Sequence, residues 1–292
     1  MLSVSLACEA MGISRQAYYK RLDEMKEEKF KTEIVLELVA EKRRLMPRIG
    51  GKKLYDLLKN DFVRLGYKLG RDGFFTVLRE HDLLAKRRKS YIKTTNSFHR
   101  FRVYDNLILG IEVIRPNQVF VSDITYIRVG SSFMYLSLIT DLYSRMIVGW
   151  ELSKTLDASA CYKALEIALK LVDDPTGLIH HSDRGVQYCS TDYTGLLIAS
   201  GASISMAEQG NPYENPHAER VNGILKDEFN LSAHFPTAAL AIRATCQAIE
   251  IYNTLRTHWS LKLRTPAKVY FGTKAQVFDK DFCPLQGAPV VA

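Results

Sequence analysis

The stretch QVFVSDITYIRV, residues 118–129, reads as a single β-strand. β-Branched and aromatic side chains dominate it, and these fit a pleated, half-buried backbone. The odd member is Asp123, a carboxylate inside a strand otherwise made of β-formers. A charge in such a strand is costly unless it is partnered, and a divalent cation is one candidate partner. Working outward, Gly130-Ser131-Ser132 is turn material and residues 133–142 read as a second strand. A further turn at Tyr143-Ser144-Arg145 leads to a third strand at 146–152. Short turns between consecutive strands predict an antiparallel meander.

Downstream the periodicity alternates between helix and strand. Asp157 is placed to cap a helix over 158–172, with Ala160, Leu165, Ala168 and Leu171 on its apolar face. A short buried strand at 178–181, a helix at 191–201 and a strand at 203–206 follow. The loop Asn211-Pro212-Tyr213-Glu214-Asn215-Pro216 then opens a helix over 217–229, and a last long helix spans about 236–255. A meander followed by helix, strand, helix, strand and helix predicts an α/β, ribonuclease H-like core with a mixed five-stranded sheet. We place that core at 112–274, with a tail at 275–292.

Upstream the pattern is helical. Residues 4–11 form a first short helix, Gly12 the turn, and Ser14 the N-cap of a second helix beginning Arg15-Gln16-Ala17. With Arg15, Gln16, Tyr18 and Lys20 exposed, this is the outline of a helix-turn-helix and of a DNA-reading face. A long charged helix is expected over 22–45, with Ile34, Leu36, Leu38, Val39 and Leu45 as its apolar positions. Met46-Pro47-Arg48-Ile49-Gly50-Gly51 breaks it. A second helical unit runs over 52–84, with Leu54, Leu57 and Leu58 on one face and Phe74, Phe75, Val77 and Leu78 on another. Lys86-Arg87-Arg88-Lys89 repel one another and resist burial, so they form an exposed linker or a strap along a DNA backbone. The front end thus divides into small all-α units at 1–47 and 48–90 and a basic, polar linker at 91–111.

Charge supports that division. Of the 40 Lys and Arg among 292 residues, 24 lie in residues 1–110, against 14 of the 32 Asp and Glu. The front third therefore carries +10 and the remainder −2, an asymmetry that points to a polyanionic partner, with nucleic acid foremost. No window approaches the ~18 consecutive apolar residues of a membrane span. The N-terminus lacks the pattern of a secretory signal. Five scattered cysteines without a CxxC pair argue against a disulfide framework and a cysteine-based zinc site. A reducing, cytoplasmic setting is the natural expectation.

Two more acids share the character of Asp123. Asp183 ends the short strand in His180-His181-Ser182-Asp183-Arg184-Gly185, and Glu219 lies in the first turn of the helix AERVNGILK, residues 218–226. Oxygen-only ligation favours Mg²⁺ or Mn²⁺ over zinc. Thirty-five residues separate Asp183 from Glu219. That spacing resembles the DDE signature of retroviral integrases and insertion-sequence transposases. The blocks GISRQAYYKR, RIGGKKLYDLLKN, VSDITYI, TDLYSRMIVGW, HSDRGVQY, NPYENPHAERVNGILKDEF and YNTLRTHWSLKLRTPAKVY are similar to those of OrfB-type transposases of the third insertion-sequence family. The resemblance covers about residues 3–275. Phe120 stands where many relatives carry tryptophan, and no retroviral HHCC zinc unit is visible.

The resemblance implies that Asp123, Asp183 and Glu219 are the catalytic residues and hold two Mg²⁺ (or Mn²⁺) ions. Two such ions ~3.5–4 Å apart activate the attacking oxygen and stabilise the leaving one in an in-line displacement at phosphorus. Water would expose a 3′-OH, and that 3′-OH would attack a second phosphodiester. Lys226, seven residues beyond Glu219 and nearly eclipsed with it on a helix, would contact the transposon end. Double-stranded DNA ends and target, a homo-oligomer that synapses two ends, a companion OrfA protein, a circular intermediate and a nucleoid-associated location are implied too. Two alternatives stay open here: a ribonuclease H-like nuclease without strand transfer, and a domesticated DNA-binding protein. Among the secondary positions, Asp141 reads as structural, and His181 as a residue orienting Asp183 or substrate, with His180 on the other strand face. Tyr213, Arg220 and Asn222 read as DNA contacts or as capping and loop packing. Tyr252, Asn253, Arg256 and His258 read as clamps for the last long helix.

Overall fold

Residues 3–85, 101–208 and 215–272 are described by a computed structural model, and the chain separates into two compact units between residues 87 and 88. In the front unit α1 (Val4–Ala10) starts at Ser3, whose hydroxyl accepts from the Leu6 amide. Gly12 turns the chain at φ +66°. Ser14 Oγ then accepts from the Ala17 amide at 3.1 Å, the predicted cap. The helix it starts, α2, runs unbroken over Arg15–Leu45, whereas the sequence reading had a short helix followed by a separate one at 22–45. Nothing between Arg15 and Leu45 is Gly or Pro. Ion pairs one turn apart, Lys20–Glu24, Lys26–Asp23 and Lys31–Glu27, line its exposed surface.

The buried stripe of α2 centres on Val35 and Val39, with Ile34, Leu36, Leu38 and Leu45 half-buried beside it. It packs on α3 (Gly51–Arg64), which pairs with α4 (Arg71–Glu80). Leu54, Leu58 and Phe62 of α3 meet Phe74, Val77 and Leu78 of α4, all buried, and the Phe62 and Phe74 rings lie 5.8 Å apart. The Arg43 guanidinium closes the unit by donating to the Leu83 carbonyl.

The second unit is built on a five-stranded sheet. β1 (Val119–Val129), β2 (Ser132–Asp141) and β3 (Ile147–Ser153) form the antiparallel meander, with β1 and β2 in register from Val129↔Ser132 to Phe120↔Asp141. β4 (Ile179–Ser182) runs parallel to β1 and β5 (Ser203–Met206) parallel to β4, giving the order β3-β2-β1-β4-β5. The chain is therefore an RNase H-like, integrase-core fold preceded by small helical units. On one sheet face Phe120, Ile139, Met146 and Val148 pack against α5 (Ala158–Leu169) and α6 (Thr191–Ser200). Gly149 permits the closest approach there, since a Cβ on it would overlap the Ala164 carbonyl oxygen of α5. On the other face Val119 and Val121 meet Ala218 of α7 (Pro216–Glu228).

The C-terminal elements are α8 (Ala238–Thr254), a 3-10 turn at Trp259–Leu261 and α9 (Pro266–Phe271). They are clamped through the residues the sequence singled out. Asn253 makes both hydrogen bonds to the Ile147 backbone, at 3.0 and 2.9 Å. Tyr252 donates to the Arg145 carbonyl. Arg256 makes a bidentate pair with Glu228, 2.8 Å on each side, and also donates to His258 Nε2. Asp141 has the structural role read for it, since its buried carboxylate accepts from Asn117 N, Ser144 N and Ser144 Oγ and so holds the β2–β3 turn. Cys8, Cys161 and Cys189 are buried free thiols. Among the described residues no helix is long and apolar enough to cross a membrane.

Candidate active site

Strand register brings the first two acids together. The β1–β4 pairs are Val119↔Ile179, Phe120↔His180 and Val121↔His181. Each pair differs by 60 in residue number, and so do Asp123 and Asp183. Continued two residues past the last pair, the register sets the two aspartates side by side on one sheet face, because side chains alternate along a strand. This is the carboxyl end of β4, where neighbouring parallel strands part and leave a crevice. Asp183 is held in a tight turn, its Oδ1 accepting from the Gly185 amide at 2.9 Å. A Cβ at Gly185 would stand 2.9 Å from that same oxygen, so a side chain there would press on the Asp183 carboxylate.

The third acid arrives on α7. Its N-cap, Asn215, donates to the Ser122 carbonyl at 2.8 Å. Asn222 donates to Asp123 Oδ2 at 2.7 Å. Glu219 lies three residues before Asn222 and hence on the same helix face, exposed to solvent. Asp123 registers the crowding of negative charge. Burial pushes its carboxyl up to about 7, helped by Asp183 and then Glu219, while donors from Asn222 and the Ile124 amide pull it down. Lys226 does not neutralise the group, since its Nζ sits over the Tyr126 ring, 4.0 Å from the centroid. Burial lowers the pKa of Lys226, and the charge of Asp123 raises it.

Asp123 and Asp183 also line a cavity of about 70 Å³ with Tyr126, Tyr135, Gln187 and Tyr188. That is room for about two water molecules at ~30 Å³ each. The Tyr188 hydroxyl is buried without a hydrogen-bond partner among the described residues. On the opposite strand face His180 Nε2 meets Ser122 Oγ at 2.6 Å and the Tyr193 hydroxyl at 2.9 Å. Burial lowers its pKa to about 3. His181 Nδ1 pairs with Ser205 on β5.

Asp123 and Asp183 are thus brought together, with Glu219 within electrostatic reach. Among the described residues, however, no group of three or more His, Cys, Asp or Glu side chains is gathered closely enough to hold a metal. Of the front-end candidates, Arg15, Gln16 and Lys20 are exposed, while Tyr18 is half-buried with its ring edge-on to Tyr19. Lys86, Arg87, Arg88, Lys89 and Tyr213 lie outside the described residues. Sequence reasoning missed the hold of Asn222 on Asp123, which its three-residue offset from Glu219 could have revealed. It also missed the tyrosines around the cavity, which no spacing rule marks.

Residues 114–212 and 200–266 each match a family model described as an integrase core domain. A 31 kDa protein of insertion element IS600 from Shigella sonnei is 33% identical over 89% of this chain and 96% of its own length. The chain belongs to the IS3/IS600 family of bacterial insertion-sequence transposases. The InsF transposase of insertion sequence IS3A from Escherichia coli K12 is 29% identical over 88% of this chain and 90% of its own. Among solved structures, the HTLV-2 integrase catalytic core in complex with magnesium covers 55% of this chain and 99% of its own, at 17% identity and a TM-score of 0.44. Membership of this family makes the chain a DDE-type transposase and integrase relative, with the DNA-recombination character that the family carries.

Proposed function

We propose that this transposase cleaves insertion-sequence ends and joins them to DNA, with Asp123, Asp183 and Glu219 as its catalytic carboxylates. The observation that carries the reading is that Asp123 and Asp183 line one cavity while Asn222 of α7, the helix that bears Glu219, donates to Asp123. The donor set fits a hard divalent cation. It is all oxygen, and burial first, then the neighbouring charges of Asp183 and Glu219, raise the Asp123 carboxyl. These three residues would hold Mg²⁺ or Mn²⁺, two ions in all, which when bound activate the attacking oxygen and stabilise the leaving one. The residues themselves gather the charge, and Asn222 fixes the rotation of the Asp123 carboxylate.

Lys226, stored on Tyr126, is placed to take a DNA phosphate. The front end, divided as 1–47 and 48–90, would read the ends through Arg15, Gln16, Tyr18 and Lys20. Lys86, Arg87, Arg88 and Lys89 would follow the backbone across the 91–111 linker into the core at 112–274. Synapsis of two ends by a homo-oligomer, an OrfA companion, a circular intermediate and action on the nucleoid in the cytoplasm complete the proposal. The test is an assay with labelled end DNA and Mg²⁺ on Asp123→Asn, Asp183→Asn and Glu219→Gln. Each variant should bind ends and yield neither cleaved nor joined product. Full joining by any one of them overturns the assignment, and cleavage without joining by the unaltered chain leaves a nuclease.

A further inference from the structure

The catalytic unit is near neutral as a whole, yet residues 251–272 contain Arg256, Lys262, Arg264 and Lys268 and no Asp or Glu. Arg256 is buried in its pair with Glu228, while Lys262, Arg264 and Lys268 are exposed. Trp259 in the same block is 56% exposed. This block forms one wall of an open groove of about 530 Å³. Arg264, Arg145 and His217 line it together with Tyr143, Asn106 and Ser260 on an otherwise apolar wall, and among the described residues no carboxylate lines it. Asp141, whose charge reaches Arg145, spends its oxygens on Asn117 and Ser144. Arg145 Nη1 lies 2.9 Å from His217 Nδ1. A guanidinium has only donors, so Nδ1 accepts and the other ring nitrogen is left to donate.

We propose that this groove seats the sugar–phosphate backbone of duplex DNA on the catalytic unit. The proposal rests on the functional reading above, and the groove opens at the start of α7, the helix that carries Glu219 on a different face. A concave, acid-free surface with two guanidiniums, an imidazole and a neighbouring exposed indole suits phosphates and carries no base-reading pattern. Contacts here should therefore be independent of sequence.

The test uses the full chain without divalent cation, so that only binding is read. The double variant R145Q/R264Q should weaken end DNA and random duplex alike, at least threefold at moderate salt. It should also lower the log–log salt slope by about two, since each lost phosphate contact is worth ~0.9. Unchanged affinity and slope in a variant that melts like the wild type would overturn the proposal. Should the variant fold poorly, a photo-crosslinking benzoylphenylalanine at Leu109, a groove residue 66% exposed, decides instead. Adducts with labelled duplex support the groove. Adducts with a second copy of the chain, or none in DNA-saturated samples, overturn it. Because no catalysis is read, the outcome stands apart from that of the acid variants.

Discussion

His180 is a buried base whose protonation should unfold the catalytic unit. It is 1% exposed, and desolvation, with a smaller contribution from His181, lowers its pKa to about 3. An unfolded histidine titrates near ~6.5. The folded pKa is the lower one, so the stability His180 confers is complete above ~6.5 and is lost as pH falls towards 3. At pH 5 the unfolded chain gains ~2 kcal/mol from protonation that the folded chain cannot take up, rising towards ~5 kcal/mol near pH 3. Asp123 works in the opposite sense. Its carboxyl is raised to about 7, so the folded state holds a proton between ~4 and 7 that the unfolded state releases. The two trends mask each other in the wild type, and His180→Gln separates them. Both tryptophans, Trp150 and Trp259, lie in the catalytic unit, so their fluorescence follows that unit alone in urea. Between pH 7 and 5 the wild type should lose ~2 kcal/mol more than the variant. Equal losses, or a His180 imidazole that titrates near 6.5 by NMR, would refute the reasoning.

Three other perturbations test the packing around the site. Arg256→Ala leaves the half-buried Glu228 without its bidentate partner and should cost up to ~3 kcal/mol by urea unfolding, whereas an apolar pair at both positions should cost less. Gly149→Ala pushes a Cβ into the Ala164 carbonyl and against the Ala168 side chain. It should destabilise the catalytic unit by ~1–3 kcal/mol or more, read as a lower melting temperature with the front-unit transition unmoved. Asn222→Ala removes a donor that favours the charged form of Asp123. A hydrogen bond to a charged group is worth ~1.5–3 kcal/mol, so the carboxyl should climb ~1–2 units above its present value. Carbon-detected NMR of labelled aspartate would report that shift, and a fall would contradict it.

The sheet was legible in the sequence because its signals are local. Residues 118–152 are rich in β-branched and aromatic side chains between short turns, and Ser203–Met206 is the strand where the reading places it. Asp157 and Ser14 cap as read, since capping depends only on neighbouring residues. The joined helix Arg15–Leu45 was misread because a good N-cap and an apolar turn look the same whether a helix lasts two turns or eight. Of the candidate site, the three acids were marked by spacing and family pattern, while among the described residues no three such side chains gather closely enough to hold a metal. Their actual geometry was not legible, because it depends on the β1–β4 register and on where α7 docks. The His217–Arg145 contact was likewise hidden, since it joins residues 72 apart through a turn whose residue Arg145 has φ +65°.

The docking of α7 explains why two acids are gathered and the third stands off. The helix is tied to its surroundings at four points along its length: Asn215 to Ser122, His217 to Arg145, Asn222 to Asp123, and Glu228 to Arg256. Arg145 in turn carries the Tyr252 hydrogen bond from α8, and Asn253 locks the same helix onto β3. Moving α7 as a body would break all of these together, so its backbone is the fixed element of the site. The Glu219 side chain, exposed and one methylene longer than an aspartate, is the adjustable one. Rotation of an exposed side chain is a ps–ns event, far easier than shifting a helix held at both ends. On the proposed reading of the acids, the C-terminal clamp of Tyr252, Asn253 and Arg256 serves the site by keeping the helix that bears Glu219 still.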